Sequence, residues 1–217
     1  MKKLVIFDLD GTLLDTVNDI KRCLNVALSN NGLLTLNYEE TLKNLGYGAK
    51  ALVERASKLE DKERVEKIFN EYVSLQKSCD NSLTCLYEGL DNALTTLKQQ
   101  GYKLAIVSNK PDSVTQIVVN QKLSKYGFDF VTGNRPELFS PKPDKSCVEF
   151  CLNSLNIAKE DAVFVGDSEV DVQTFVNAGV EGIGVTWGFR PKKLLEDYGC
   201  VHFANTASEL IKIINSL

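Results

Sequence analysis

Short apolar runs punctuate the chain, and helix-period patterns fill the intervals between them. "LVIFD" at Leu4, "KLAIVSN" at Lys103, "FDFVTG" at Phe128, "AVFVGD" at Ala162 and "GIGVT" at Gly182 run without polar alternation, and "CVHFA" at Cys200 is a last candidate. Strands of that kind are covered on both faces, as in a parallel sheet between helix layers. The intervals fit this plan. "LDNALTTLKQQGY" predicts an amphipathic helix ended by Gly101, "PDSVTQIVVNQKL" one with Pro111 in its first turn, and "EVDVQTFVNAGV" one that stops near Gly179. Strand and helix alternation predicts an α/β fold, a doubly wound parallel sheet.

One stretch breaks the rhythm. Between about Asp15 and Cys85 no strand pattern occurs, only helical ones: "VNDIKRCLNVALSNNG", "YEETLKNLG", "AKALVERASKLE" and "KERVEKIFNEYVSLQKS". That is too long for an ordinary crossover and predicts an inserted helical domain over 15–85, with the core formed by 1–14 and 86–217. The links are expected at Leu14 to Val17 and Asn81 to Tyr87. The Glu and Lys of the last inserted helix read as a solvated face without special chemistry.

In an open parallel sheet, ligands bind beyond the carboxyl ends of the strands. The first run delivers Asp8, Asp10, Gly11 and Thr12 there; the second delivers Ser108 and Asn109; "FSPKPD" brings Lys142, and "GDSEVD" brings Asp167 and Asp171. Carboxylates as close as Asp8 and Asp10 repel each other unless a cation or shared proton compensates. Oxygen ligands around a hard ion favour magnesium (Mg2+), held with a substrate phosphate. Asp8 can then attack phosphorus, Asp10 can protonate the leaving alkoxide and later deprotonate water, and Lys142 with Ser108 can hold the phosphate oxygens.

Charge adds an exclusion. With 25 Lys+Arg against 29 Asp+Glu in 217 residues, the net charge is -4 and no block of like charge occurs, which argues against nucleic acid or an anionic membrane as partner. Leu4 to Phe7 is too short for a signal-peptide core and no long apolar span follows, so a cytoplasmic protein is expected. The six cysteines, Cys147 and Cys151 included, form no Cys-x-x-Cys pair and read as reduced packers. His202 is the sole histidine and reads as a strand or edge residue.

Taken together, "DLDGT" (Asp8 to Thr12), "VSN" with Ser108, "SPKPD" with Lys142 and "GDSEVD" (Gly166 to Asp171) resemble the four ordered motifs of the haloacid dehalogenase superfamily, and within it the phosphoglycolate phosphatase group. The resemblance implies Asp8 as nucleophile and metal ligand, and Asp10 as general acid/base that also offers its backbone carbonyl to the metal. It implies Asp167 as a further ligand, Asp171 holding a metal water or Lys142, and Thr12, Ser108, Asn109 and Lys142 around the phosphate. The helical insertion corresponds to the family's small cap. A small phosphorylated metabolite is the expected substrate, with pyrophosphatase and nucleotidase activities open, and a non-catalytic phosphate- or partner-binding module as the alternative of another class. Ile20, where the β-phosphoglucomutases carry a cap histidine, argues against a mutase. The expected assembly is a monomer or a homodimer.

For the cap, "LGYGAKALVERA" puts Gly46, Tyr47 and Gly48 just before a helix, so that free amides face an anionic group. This resembles the cap loop of phosphoglycolate phosphatases. Lys50 reads either as a cation for a substrate carboxylate or as a surface lysine one turn before Glu54, and Arg55 is similarly open. Asp15 reads either as the N-cap of the first inserted helix or as a hinge or site residue. "TWGFR" reads as a flap near the core.

Overall fold

The computed structural model describes residues 2–217. Its central sheet is built around β1 (Leu4–Phe7), whose four residues are all buried. Successive side chains of a strand point to opposite faces. Val5 and Phe7 accordingly enter one hydrophobic cluster while Leu4 and Ile6 enter the other, which is why the run shows no polar alternation.

β2 (Leu14–Asp15) leads out of the core into four helices, α1 (Val17–Asn30), α2 (Tyr38–Asn44), α3 (Ala49–Ser57) and α4 (Lys62–Lys77), and β3 (Cys85–Leu86) leads back. α2 opens with a capping box between Asn37 and Glu40, and α4 is capped by the Asp61 carboxylate, so each start is specified locally. The four helices enclose a third cluster of their own, with Leu24, Leu28, Leu52, Val53, Ile68 and Tyr72 at its centre. Asp19 on α1 ties it to the returning link, accepting from Leu83 N (3.0 Å) and the Thr84 hydroxyl (2.7 Å). β2 and β3 pair antiparallel, Leu14 with Leu86 and Asp15 with Cys85. Both links read from the sequence thus hold short strands that the apolar-run pattern missed, because two residues make no pattern.

The remaining chain alternates as expected: α5 (Leu90–Gln99), β4 (Lys103–Pro111), α6 (Asp112–Leu123), β5 (Phe130–Asn134), α7 (Ser146–Leu155), β6 (Ala162–Gly166), α8 (Glu169–Ala178), β7 (Glu181–Val185), α9 (Lys192–Asp197), β8 (His202–Ala204) and α10 (Ala207–Ser216). The sheet order is β5-β4-β1-β6-β7-β8, and every neighbouring pair is parallel. β1 lies between β4 and β6, so the order reverses beside it, where the carboxyl ends of all three open onto one crevice. All six cysteines are free thiols, and no helix among the described residues is long and apolar enough to cross a membrane.

Candidate active site

β1 ends at Phe7, and Asp8 extends its ladder by one bond, donating its N–H to Val165 O at 2.9 Å. Asp10 stands beyond the strand, not two residues along it. The chain turns there, Asp10 bridges to Leu14, and Gly11 adopts a φ of 93°. A Cβ on Gly11 would lie 2.4 Å from Asp167 Oδ2, so glycine is required both by the turn and by the approach of that carboxylate.

Oxygens of Asp8, Asp167 and Asp171 lie within 4.8 Å of one another, all three side chains buried. Lys142 is the ammonium among them, 2.7 Å from Asp8 Oδ1 and 2.7 Å from Asp171 Oδ1. Burial works against its charge, but Asp171 and Asp8 outweigh burial and raise its pKa. Asp8 is pushed up to about 7, by burial first, then by Asp171, against the opposing pull of Lys142. Burial, Asp171 and Asp8 together hold Asp167 well above the usual carboxylate range.

Three carboxylates face one ammonium. The donor set is all oxygen, and its surplus negative charge is what a hard divalent cation neutralises, so these residues fit magnesium.

Each acid is aimed by neighbours. Asp167 accepts from the Thr12 hydroxyl (2.7 Å) and from Phe189 N (2.7 Å). Asp171 Oδ2 accepts from the Ser168 hydroxyl at 2.7 Å and from two backbone amides, as half of the capping box that opens α8. The acid in the first helical turn and the partner of Lys142 are therefore one side chain.

The other expected residues fall into two groups. Ser108, Asn109 and Lys142 line a cavity of about 50 Å³ together with Asp8 and Asp10. Asn109 also braces the lysine segment, its carboxamide donating to Lys142 O (2.9 Å) and accepting from Lys142 N (2.8 Å). Thr12 donates its hydroxyl to Asp167, and its side chain is not among those that line the cavity.

The cap-loop residues divide. Gly46 and Gly48 line the cavity, and Gly46 O accepts from the Asn109 carboxamide at 3.3 Å. Tyr47 and Lys50 do not line it. The Tyr47 ring carries the Arg55 guanidinium at 4.4 Å, and Lys50, exposed on the outer side of α3, pairs with Glu66 on α4 at 2.7 Å. Asp15 accepts from Val17 N at 3.3 Å, a local turn contact away from the cavity.

Several lining residues were not foreseen. Lys110, one position past Asn109, is buried and reaches both Asp10 oxygens at 3.1 and 3.0 Å. Its signal was there: β4 continues two residues beyond Asn109, so a lysine stands at a strand end already identified as functional. Tyr72 and Gln76 on α4 line the cavity from the helical side, while Lys62, Glu63, Glu66, Lys67 and Lys77 of that helix are exposed, the solvated face read from the sequence. The "TWGFR" segment does more than cover the core. Phe189 lines the cavity, and Arg190 bonds Glu169 (3.2 Å), Leu42 O (3.0 Å) and Leu45 O (2.6 Å), bridging the sheet side to the loop before α3.

Comparison with known proteins agrees with this architecture. The family model described as haloacid dehalogenase-like hydrolase matches residues 5–185. The phosphoglycolate phosphatase of Colwellia psychrerythraea is 29% identical over 217 residues, covering 97% of this chain and 96% of the relative. Phosphoglycolate phosphatase 1 of Pseudomonas aeruginosa is 33% identical over 196 residues, covering 87% of this chain and 71% of the relative. The crystal structure of a predicted phosphatase from Clostridium acetobutylicum superposes with a TM-score of 0.87 at 27% identity, covering 100% of both chains. With its parallel sheet, its helical insertion after β1 and a family match over most of its length, the chain belongs to the haloacid dehalogenase-like hydrolases.

Proposed function

We propose that the protein is a magnesium-dependent phosphatase that hydrolyses a small phosphomonoester through an aspartyl-phosphate, with 2-phosphoglycolate as its preferred substrate. The observation that carries this reading is the convergence of Asp8, Asp167, Asp171 and Lys142, with Asp8 and Lys142 lining a cavity that Asp10 also lines. The names of the relatives support the substrate.

Asp8 and Asp167 would hold the metal, with Asp171 anchoring Lys142 beside it. The bound cation supplies neutralisation of phosphate charge, which lets an anionic nucleophile approach. An Asp8 oxygen attacks phosphorus, the bond from phosphorus to the ester oxygen breaks, and Asp10 gives that oxygen its proton. Asp10 then takes a proton from water as the water attacks the aspartyl-phosphate; the bond to Asp8 breaks, releasing phosphate and the free carboxylate. Lys142 and the Ser108 hydroxyl stabilise the phosphate oxygens in both steps. Residues 15–85 act as a cap over the core of 1–14 and 86–217, excluding water during the first step. The free cysteines are in keeping with a reducing, cytoplasmic setting.

The test is initial hydrolysis rates on 2-phosphoglycolate, pyrophosphate, nucleoside monophosphates, sugar phosphates and an aryl phosphate, with magnesium and with chelator. Magnesium-dependent turnover that Asp8→Asn abolishes is expected, with Asp10→Asn slowing either step while keeping metal binding. Absence of any hydrolysis, or normal turnover by Asp8→Asn, overturns the reading.

A further inference from the structure

We propose that Lys110, Gln76 and Tyr72 form the subsite that recognises the leaving group, and that it takes a carboxylate borne on the carbon next to the phosphate ester. The inference rests on the phosphatase reading and names the residues of this chain that would select the substrate.

Gln76 is the primary observation. It is only 5% exposed, yet its carboxamide makes no hydrogen bond to any described residue, and its Oε1 is a buried acceptor without a partner. A buried polar group left unpaired costs about 1–3 kcal/mol, and a water, an ion or a ligand group in the adjoining cavity is what can pair it. Gln76 lines the active-site cavity and also a smaller adjoining one, which Lys110 and Thr16 share. A carboxamide turns about its last torsion, so it can present its N–H donors to an anion.

Its neighbours extend the pattern. Tyr72 lies one turn earlier on the same face of α4, is 1% exposed, lines the same cavity, and donates its hydroxyl to no described residue. The buried stripe of α4 thus runs Val65, Ile68, Tyr72, Gln76, apolar within the helical cluster and polar where it meets the active site. An ordinary packing stripe would stay apolar to its end.

Lys110 supplies the charge and the geometry. Its ammonium is 3.0 Å from Asp10 Oδ2, with Lys110 lining the cavity beside it. If Asp10 protonates the ester oxygen, the two are roughly 3 Å apart. A carboxylate on the adjacent carbon has its oxygens about 3 Å from that ester oxygen. A bent arrangement of these three contacts brings the carboxylate within ion-pairing reach of Lys110, in the cavity that Gln76 and Tyr72 also line. A leaving group ending in a methyl leaves Gln76 unpaired, and sites built around buried polar groups discriminate strongly against such analogues. The apolar walls contributed by Ile20 and Leu52, and a volume of about 50 Å³, restrict the acid to a short one.

The experiment compares kcat and KM for 2-phosphoglycolate and ethyl phosphate, which has a methyl in place of the carboxylate, using the full chain with magnesium. The expected ratio of kcat/KM favours phosphoglycolate by about 100-fold or more. Gln76→Glu, nearly isosteric, places a like charge against the carboxylate and should cut that ratio about 10-fold, with Gln76→Leu cutting it less. Lys110→Met should lose most of the preference and Lys110→Arg should restore much of it. A purely structural role for Gln76 would shift Tm and leave the ratio where it was, and that result overturns the proposal. Equal hydrolysis of both esters by the unmutated protein removes the subsite but leaves the phosphatase standing; hydrolysis of neither removes both.

Discussion

Arg190 donates to the carbonyl of Leu45 at 2.6 Å, and this bond spans the crevice between the sheet and the helical insertion. The same guanidinium reaches Leu42 O and pairs with the buried Glu169, so one side chain satisfies the open end of α2 and a carboxylate beneath it. Arg190→Ala leaves Glu169 buried without its cation and should destabilise the protein by about 3 kcal/mol. Thermal unfolding measures that loss, and limited proteolysis should show faster cleavage near Leu45. Arg190→Lys should recover only part, because an ammonium lacks the fork that holds three acceptors at once.

Asp8→Asn should separate activity from stability. Removing one of three crowded carboxylates relieves repulsion that burial makes strong, so at pH 8 in chelator the variant should melt above the unmutated protein. Turnover of any phosphomonoester should fall by a factor on the order of 10⁴ or more. A variant that is both less stable and inactive would contradict this.

Lys142→Met should act in the opposite sense. It strips the only ammonium from between Asp8 and Asp171 and should cost about 3–5 kcal/mol at neutral pH without metal. Asp171 loses one partner but keeps Ser168, so the loss falls mainly on the Asp8 side. Urea titration at pH 7 measures it, and added magnesium should recover part.

The pH dependence has a definite sign. Asp8 goes from an ordinary 3.8 up to about 7 in the folded chain, and Asp167 is raised as well, so the folded state holds protons that the unfolded chain has released. That stability is fully present at and below about pH 4 as far as these groups are concerned, and is lost as pH rises through about 7. In chelator, Tm should therefore fall between pH 5 and about 8; magnesium, which favours the ionised acids, should flatten the decline. A Tm that rises across that window without metal would refute the assignment.

Much of this site was legible because each strand of a parallel sheet exports its functional residues just past an apolar run. Asp8 and Asp167 could be read off as the residues that follow β1 and β6, Ser108 as the end of the apolar run within β4, and Lys142 from the loop after β5. What escaped were residues whose placement depends on how the insertion docks. Gln76 and Tyr72 lie on a helix whose surface-looking Glu and Lys dominate its sequence, and only the path of α4 across the crevice brings them to the cavity. Lys50, left open between a substrate cation and a surface lysine, was undecided for the same reason: only the path of α3 shows that it turns outward to Glu66. The bond from Thr12 was not legible either, because adjacency to Asp8 and Asp10 in sequence says nothing of which carboxylate its hydroxyl meets, and it meets Asp167.

The position of β1 between β4 and β6 has a consequence for biosynthesis. β1 pairs with Lys103–Ile106 on one side and Ala162–Val165 on the other, so it leaves the ribosome long before either neighbour exists. The helical insertion, by contrast, is one unbroken stretch with its own hydrophobic cluster, and its entry and exit strands pair with each other. Local, contiguous structure forms early, while distant strand pairings wait. A nascent chain halted just before Ala162 would carry a finished helical insertion beside half a sheet, with Asp8 exposed beside a gap into which its partner carboxylates had yet to be synthesised.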